Sequence, residues 1–478
     1  MRNANGSGHE QRRQTDGPGK DEVNRMNDFR KTAQEMLEFI RISPTCFHAV
    51  ANIGRMLEAA GFQQLQEKEE WKLEKGGRYY TERNDSSVIA FAIPEKEVDI
   101  RGFHMAAAHS DSPCFKIKEK PELTVEEHYL RLNTEKYGGM ILSTWLDRPL
   151  SIAGRLAVKN GNGIEGRLVN IDRDLCVIPN VAIHMNREMN KGVEYNPQVD
   201  LLPLLADVSF DEYDTHTTYD AQNASENAEE QPETVEKPTL AALAAEAAGV
   251  DAETILGEDL FLYTRQEGKM IGAKGEFVLS PRLDDLQSAF ALTKAFTEST
   301  PAEYINLCAV FDNEEVGSGT RQGADSTFLE DTLQRITEGL QEGHSTYLRW
   351  VADSFLISAD NAHAVHPNHP EKADPANRPY LNGGIVIKYH GSQKYTTDGI
   401  SAAKMKDYCE RAKVPYQTYA NRSDIAGGST LGNISTAHVS VSSVDIGLPQ
   451  LAMHSAVETA GMKDTEYAVR ALKEFWGE

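Results

Sequence analysis

The sequence predicts an α/β fold in which a mostly parallel central sheet is flanked by helices on both faces. After Lys274, apolar runs typical of strands alternate with helical stretches, and this βαβα alternation is typical of a parallel sheet. Residues 113–275 instead show short β-rich runs separated by turns. We therefore predict one discontinuous α/β domain, residues 27–112 and 276–478, into which a β-rich domain of residues 113–275 is inserted.

The amino-terminal part predicts a tail, two helices and two strands. Residues 1–26 are polar and predict a flexible tail. A helix is predicted from Asp28, because the apolar residues between 36 and 40 recur at helical spacing. A second helix is predicted after the Ser-Pro-Thr sequence at 43–45, which suits a helix start. The predicted strands lie at 87–98 and 102–108.

The inserted part contains an acidic stretch. Residues 211–236 hold nine Asp or Glu and no Lys or Arg, which predicts a solvated acidic loop within 211–250. An alanine-rich helix is predicted at 239–248, and strands are predicted near 259–264 and 269–272.

The carboxy-terminal part supplies most of the predicted central sheet. The predicted strands lie at 276–279, 304–311, 354–358, 384–389 and 438–446, and the predicted helices begin at 284, about 323, 398 and 463.

Composition excludes several classes of protein. The chain has 478 residues, of which 40% are hydrophobic and 26% charged, as in a folded protein of ordinary composition. The 49 Lys and Arg against 73 Asp and Glu give a net charge of −24. This charge argues against nucleic acid or an anionic membrane surface as a partner, because both attract basic proteins.

Cysteine usage and hydropathy predict a cytoplasmic location. The five cysteines are odd in number and form no C-x-x-C pair, so we expect reduced thiols. No apolar run approaches the roughly 20 residues of a membrane span, and no apolar signal segment is visible at the amino terminus.

Several potential metal ligands directly follow predicted strands. In open α/β sheets, ligands bind beyond the carboxyl ends of the strands, so side chains from distant segments can meet there. Two histidines and three carboxylates suit a pair of divalent ions bridged by a carboxylate, and zinc, manganese and cobalt all accept such ligands. The candidate residues are His109, Asp284, Glu314, Glu315, Asp360 and His454.

Each candidate also has a structural interpretation. The two histidines could be surface or capping residues, and Asp284 could cap the helix that follows it. The two glutamates could face a helix dipole, and Asp360 could be a turn residue. Spacing alone leaves these alternatives open.

Short sequence motifs around these residues favour the metal-binding interpretation. Five of them occur in order: HSDSP at 109–113, PRLDD at 281–285, DNEEVGS at 312–318, SADNAHAVHPN at 358–368 and QLAMHS at 450–455. Together they resemble the aspartyl aminopeptidase family of dinuclear zinc metallopeptidases, from about residue 28 to the end of the chain. The resemblance implies that the α/β domain is the metallopeptidase domain and that the β-rich insertion serves dimerisation.

The matching motifs imply which residues bind metal and which residue acts as the general base. It implies two divalent metal ions per subunit, with zinc favoured and manganese or cobalt as alternatives. Asp111 would orient a ligand imidazole, and Glu314 would be the general base for a water activated by the two metals. The implied metal ligands are His109, Asp284, Glu315, Asp360 and His454, with Asp284 bridging.

The resemblance also implies contacts with the substrate. His184, in PNVAIH at 179–184, would reach the active site of a neighbouring subunit, although a strand histidine with a structural hydrogen bond is the alternative. Lys388 would favour an acidic residue at the substrate's amino terminus, unless it is only a surface lysine. His363 and His366 would line the pocket or support its loop.

Some family-like positions receive no role or differ from the family pattern. Tyr137, Gly138 and Gly139 match a family segment without a known function in this chain. Asp285 replaces an Asn expected in some members, and Asn361 stands where Met is common. These differences leave all implied ligands in place but put the fine substrate preference in doubt.

The predicted function is that of a metal-dependent aminopeptidase that removes Asp or Glu from the amino terminus of small peptides. Family members form dimers that assemble into a dodecamer, so we expect a homo-oligomer. One alternative is a related dinuclear-metal hydrolase with broad aminopeptidase or N-acyl amino acid deacylase activity. Another is a non-catalytic assembly subunit or carrier, which would be expected to lack a ligand or Glu314.

Overall fold

The computed structural model describes residues 20–95, 97–208, 239–425, 427, 428 and 430–478. Within these residues the helices are α1 (Lys20–Arg41), α2 (Cys46–Ala59), α3 (Leu240–Ala248), α4 (Leu283–Thr297), α5 (Phe328–Gly339), α6 (His344–Ala352), α7 (Gly399–Arg411), α8 (Leu431–His438) and α9 (Asp464–Trp476).

A nine-stranded sheet forms the centre of the protein, and its four central strands, from β13 to β18, are parallel. This arrangement confirms the predicted α/β fold with a mostly parallel sheet. In spatial order the strands are β1 (Gln63–Gln64), β2 (Arg78–Arg83), β3 (Ser87–Ala92), β13 (Tyr304–Phe311), β4 (Gly102–His109), β14 (Phe355–Ala359), β18 (Ser442–Gly447), β16 (Ile385–Tyr389) and β17 (Tyr416–Ala420).

Helices cover both faces of this sheet, which explains the uninterrupted apolar strands. Every residue of β4 and β13 is buried, as expected for parallel strands enclosed on both sides. Alternate side chains of β4 enter two different cores. Ala106 and Ala108 pack in the core with α1, α2, α4, α7 and α9, whereas Met105 and Ala107 pack in the core with α5 and α6.

A six-stranded antiparallel sheet is built entirely from residues 114–264, inside the predicted insertion. Its own core includes residues of α3. The limits of the inserted domain, at 113 and 275, stay a prediction. In spatial order the strands are β8 (Gly163–Asn170), β7 (Leu150–Asn160), β10 (Ile255–Thr264), β5 (Cys114–Val125), β6 (Tyr129–Tyr137) and β9 (Leu204–Asp207).

A third sheet consists of five short strands and was not predicted as a separate sheet. It carries two of the segments that lead into the candidate site. In spatial order it consists of β11 (Lys269–Ile271), β12 (Phe277–Ser280), β20 (Glu458–Gly461), β19 (Pro449–Leu451) and β15 (Ala362–His363).

Several predicted boundaries differ from the structure. Helix α1 begins at Lys20 rather than Asp28, so residues 20–26 are helical rather than part of the predicted tail. Residues 1–19 and the acidic stretch 211–236 lie outside the described residues. The strand predicted from 438 begins at Ser442, because His438 still belongs to α8.

The structure can also be compared with the predictions about membrane spans and cysteines. Among the described residues, no helix combines the length and the apolar character needed to cross a membrane. All five cysteines are unpaired, as predicted.

Candidate metal centre

The candidate site lies where three neighbouring strands of the central sheet end. His109 is the last residue of β4 and pairs in register with Phe311, the last residue of β13. Glu314 and Glu315 follow β13, and Asp360 follows β14 on the other side of β4. Parallel alignment therefore brings residues from distant parts of the chain to one edge of the sheet.

Two further residues enter from the five-stranded sheet. Asp284 lies just after β12, at the start of α4, and is buried. His454 follows β19 in a left-handed backbone conformation with φ 66°. The structure thus gathers all five predicted metal ligands around one point.

Asp284 stands between the two histidines. Its Oδ1 is 3.5 Å from Nε2 of His109, and its Oδ2 is 3.3 Å from Nε2 of His454. His109 Nε2 is also 4.0 Å from Oδ1 of Asp360, and His454 Nε2 is 3.4 Å from Oε1 of Glu315. The described side chains form three groups of potential ligands, and the donor atoms of each group lie within 4.8 Å of one another. Two of the groups share Asp284. The groups are His109 with Asp284, Asp285 and Asp360; Asp284 with Glu315 and His454; and His109 with Glu314 and Glu315.

The contacts of Nδ1 in His109 and His454 indicate that Nε2 of each ring faces the carboxylates. Nδ1 of His454 donates to the carbonyl of Gly139 at 2.8 Å. Nδ1 of His109 lies 3.1 Å from the carbonyl oxygen of Asp111 and 3.3 Å from its Oδ1. A proton on Nδ1 leaves the lone pair of Nε2 directed at the carboxylates, as in histidine ligands of metals.

The chemistry of the cluster fits a metal site. Oδ1 of Asp284 and Oε1 of Glu315 are buried and have no hydrogen-bond partner among the described residues. Each oxygen faces a histidine Nε2, at 3.5 Å for Asp284 and His109 and at 3.4 Å for Glu315 and His454. Burial raises the pKa of Glu315 well above its usual value, and the Asp284 carboxylate raises it further; a bound cation would lower it. Imidazole nitrogens and carboxylates are ligands suited to zinc.

Asp111 holds the turn that carries the two glutamates. Its Oδ1 accepts a hydrogen bond from the backbone N–H of Glu314 at 3.1 Å, and its Oδ2 accepts one from that of Glu315 at 3.2 Å. The hydroxyl of Tyr137 donates to the same Oδ2 at 2.7 Å. Asp111 therefore contacts His109 on one side and the glutamate turn on the other.

Glu314 occupies a short 3-10 turn rather than a regular helix. The turn follows Asn313, whose backbone is left-handed with φ 63°. This geometry lets neighbouring Glu314 and Glu315 point differently. Burial, together with nearby carboxylates, raises the pKa of Glu314 to about 7, which suits a group that exchanges protons near neutral pH.

A cavity of about 340 Å³ opens beside the cluster. Lys388 lines it, is buried, and holds its Nζ 3.5 Å from Oδ2 of Asp360. The ring of Tyr395, which the sequence analysis missed, lies 5.4 Å from this Nζ. His363 lines the same cavity, so a cation and several hydrogen-bonding groups surround the space next to the ligands.

Two predicted residues lie outside the cluster. His366 lines an adjacent cavity of about 430 Å³, and its Nδ1 accepts the backbone N–H of Asn368, so it supports its own loop. His184 is exposed in the loop between β8 and β9. Its contact with a neighbouring subunit stays a prediction.

Sequence reasoning assigned no role to two buried carboxylates, Glu458 and Asp285, that accept backbone N–H groups of predicted ligands. Glu458, on β20, accepts the backbone N–H of Asp284 at 3.0 Å and that of His454 at 2.7 Å. Asp285, joined to Asp284 by a cis peptide bond, accepts the backbone N–H of His109 at 3.2 Å. The only sequence signal for Glu458 is an acid four residues after His454, which is too common to interpret alone.

Comparison with known proteins agrees with this geometry. The family model for "Aminopeptidase I zinc metalloprotease (M18)" matches residues 39–476. A protein of Clostridium novyi named "Probable M18 family aminopeptidase 2" is 46% identical over 448 residues, covering 93% of this chain and 98% of that protein. A protein of the same name from Clostridium acetobutylicum is 44% identical over 446 residues, with the same coverage.

Solved structures show the same fold. The cryo-EM structure of an Ape4 and Nbr1 complex has a TM-score of 0.85 at 36% identity, covering 95% of this chain and 86% of that chain. The structure of the S. cerevisiae mApe1 dodecamer has a TM-score of 0.76 at 26% identity, covering 94% and 97%. The chain therefore belongs to the M18 family of zinc metallopeptidases and is an aminopeptidase, as its sequence motifs predicted.

Proposed function

We propose that this aminopeptidase uses two metal ions bridged by Asp284 and removes Asp or Glu from the amino terminus of small peptides. The observation that carries the proposal is the position of Asp284, which turns one carboxylate oxygen toward each ligand histidine. His109 and Asp360 complete one group of ligands, and Glu315 and His454 complete the other.

The chain's own residues would divide the chemistry between them. Two divalent ions held by these ligands would polarise the first peptide carbonyl and lower the pKa of the attacking water. Glu314, held in place by Asp111, would accept the proton of that water and deliver it to the leaving amine. Zinc is favoured by the family model, and manganese and cobalt suit the same ligands.

Lys388 supports a preference for acidic residues. It is a buried cation in the wall of the cavity beside the cluster. Its partner Asp360 would share its negative charge with a bound metal ion, which leaves the ammonium group able to pair with a substrate carboxylate. A neutral side chain at the same place would leave Lys388 without this second partner.

Assembly into a dodecamer supports the restriction to small peptides. A related structure is that of a dodecamer. In this chain, Val181, Ile183 and Met185 flank His184 and are 50%, 45% and 83% exposed, which suits burial against a second copy. His184 would then reach a neighbouring active site and help to stabilise the tetrahedral intermediate. The unpaired cysteines support a cytoplasmic location.

The test is hydrolysis of Asp, Glu, Leu, Ala and Lys amides by chelated protein reloaded with zinc, manganese or cobalt. We expect metal-dependent activity that is highest on Asp or Glu. The Lys388→Met variant should lose about 10- to 100-fold in kcat/KM on Asp relative to Leu, because one charge-assisted hydrogen bond is worth about 1.5–3 kcal/mol. Equal activity on Leu and Asp in the wild type would refute the acidic preference. A requirement for N-acylated substrates would favour the deacylase alternative.

A further inference from the structure

The end of strand β6 reaches from the six-stranded sheet to the metal centre. Tyr137 is the last residue of β6, and Gly138 and Gly139 follow it; we call these three residues the YGG segment. The ligands themselves come from the other two sheets and their loops. The YGG segment is thus the part of the inserted sheet that touches the cluster from outside, and each of its three residues contacts a different part of it.

Tyr137 joins the two residues that support the ligand turn. Its hydroxyl donates to Oδ2 of Asp111 at 2.7 Å and accepts from Nδ2 of Asn313 at 2.8 Å. Asp111 in turn lies against Nδ1 of His109, and Asn313 directly precedes Glu314. Removing one hydroxyl would therefore deprive Asp111 of a donor and Asn313 of an acceptor.

Gly138 packs closely against the proposed ligand Glu315. Its φ is +77°, a conformation that favours glycine. A Cβ at this position would lie 3.1 Å from Cβ of Glu315 and 3.4 Å from its carbonyl oxygen. Any other residue would be strained at this φ and would press on Glu315, so glycine suits this close approach.

Gly139 and Ile141 hold the second ligand histidine. The carbonyl of Gly139 accepts from Nδ1 of His454 at 2.8 Å, and the backbone N–H of Ile141 donates to the carbonyl of His454 at 2.9 Å. Both the ring and the backbone of His454 are therefore fixed by the same strand end that supports His109 through Asp111.

We propose that the YGG segment positions both histidine ligands at once, and that Tyr137 is a positioning residue that sets the metal affinity of the site. This inference rests on the proposed two-metal function. It couples the inserted sheet to the catalytic centre, because a shift of β6 would move the partners of His109 and His454 together.

The test compares Tyr137→Phe with Tyr129→Phe, which removes a hydroxyl at the exposed opposite end of the same strand. Cobalt affinity is measured by competition with a chromophoric chelator, and the visible absorption of bound cobalt reports its coordination. We expect about 10- to 100-fold weaker binding and an altered spectrum for Tyr137→Phe only, because partners that orient metal ligands have effects of this size. Steady-state kinetics at saturating metal should show kcat lowered more than KM is raised.

A second pair of variants keeps the test valid if Tyr137→Phe folds poorly. Gly138→Ala should weaken cobalt binding, whereas Gly161→Ala, at a left-handed turn with no atom within 4 Å of the added Cβ, should not. Circular dichroism and thermal unfolding of the chelated proteins establish folding. Cobalt affinity and spectra equal to those of the controls would overturn the inference. A wild-type protein that binds no cobalt would instead refute the proposed two-metal function.

Discussion

Replacing Glu458 by Gln tests how the two ligand backbones are held together. The side chain is 2% exposed, and its two oxygens accept backbone N–H groups from Asp284 and His454 at 3.0 and 2.7 Å. Glutamine has the same shape but only one accepting atom. In either orientation its NH2 group faces one of the two N–H donors, so one ligand backbone loses its partner.

The magnitude follows from this lost hydrogen bond. A buried donor left unpaired costs about 1–3 kcal/mol. Because the metal-bound state requires both backbones in fixed positions, whereas the metal-free loops can relax, we expect most of this cost in metal binding. Since about 1.4 kcal/mol corresponds to tenfold in affinity, Glu458→Gln should bind zinc roughly 5- to 100-fold more weakly.

The assay is zinc affinity by chelator competition, together with thermal unfolding of the chelated protein. Glu276→Gln is a matched control, because Glu276 also accepts a backbone N–H, that of Lys274 at 2.6 Å, but is partly exposed and contacts neither ligand backbone through that bond. We expect the control to match the wild type. Zinc affinity of Glu458→Gln within twofold of the wild type would refute the reasoning.

Two further predictions concern catalysis and acid stability. Glu314→Gln should retain both metal ions and lose about 10²- to 10⁴-fold in kcat, measured by metal analysis and amide hydrolysis, because it removes only the proton acceptor; retained activity would exclude Glu314 as the base. His104 is 3% exposed, and burial lowers its pKa from 6.5 to about 4. As the pH falls, the unfolded chain therefore binds a proton at this histidine before the folded protein does. The free energy of unfolding consequently decreases between about pH 6.5 and about pH 4. The His104→Phe variant lacks this titration. Between pH 7.5 and 5, its free energy of unfolding should therefore fall by about 2 kcal/mol less than that of the wild type. Denaturant unfolding measures this free energy at each pH, and an equal fall in both proteins would contradict the prediction.

The predicted and the missed features of the site differ in the kind of signal they leave in the chain. His109, Glu315 and Asp360 follow long buried strands, and strand β13 has the same bounds, 304–311, in the prediction and the structure. Such runs and the motifs after them are local features, so the sequence alone reveals them.

The missed parts depend on contacts between distant residues. Strands β15, β19 and β20 have only two to four residues each, too few to show a period. Glu458 meets Asp284 across 174 positions of the chain, and Tyr137 meets Asp111 across 26. Nothing near either residue in the sequence indicates its partner. The contact predicted for His184 involves a second subunit, which a single chain does not contain.

The central claim is that Asp284 bridges two metal ions in each subunit. The most direct measurement is the number of zinc ions bound per subunit at saturation, determined by native mass spectrometry of protein that was first stripped with a chelator. The account predicts two ions for the wild type, and fewer than two at the same zinc concentration for Asp284→Asn. A single ion at saturation in the wild type, or two ions retained by Asp284→Asn with unchanged affinity, would contradict it.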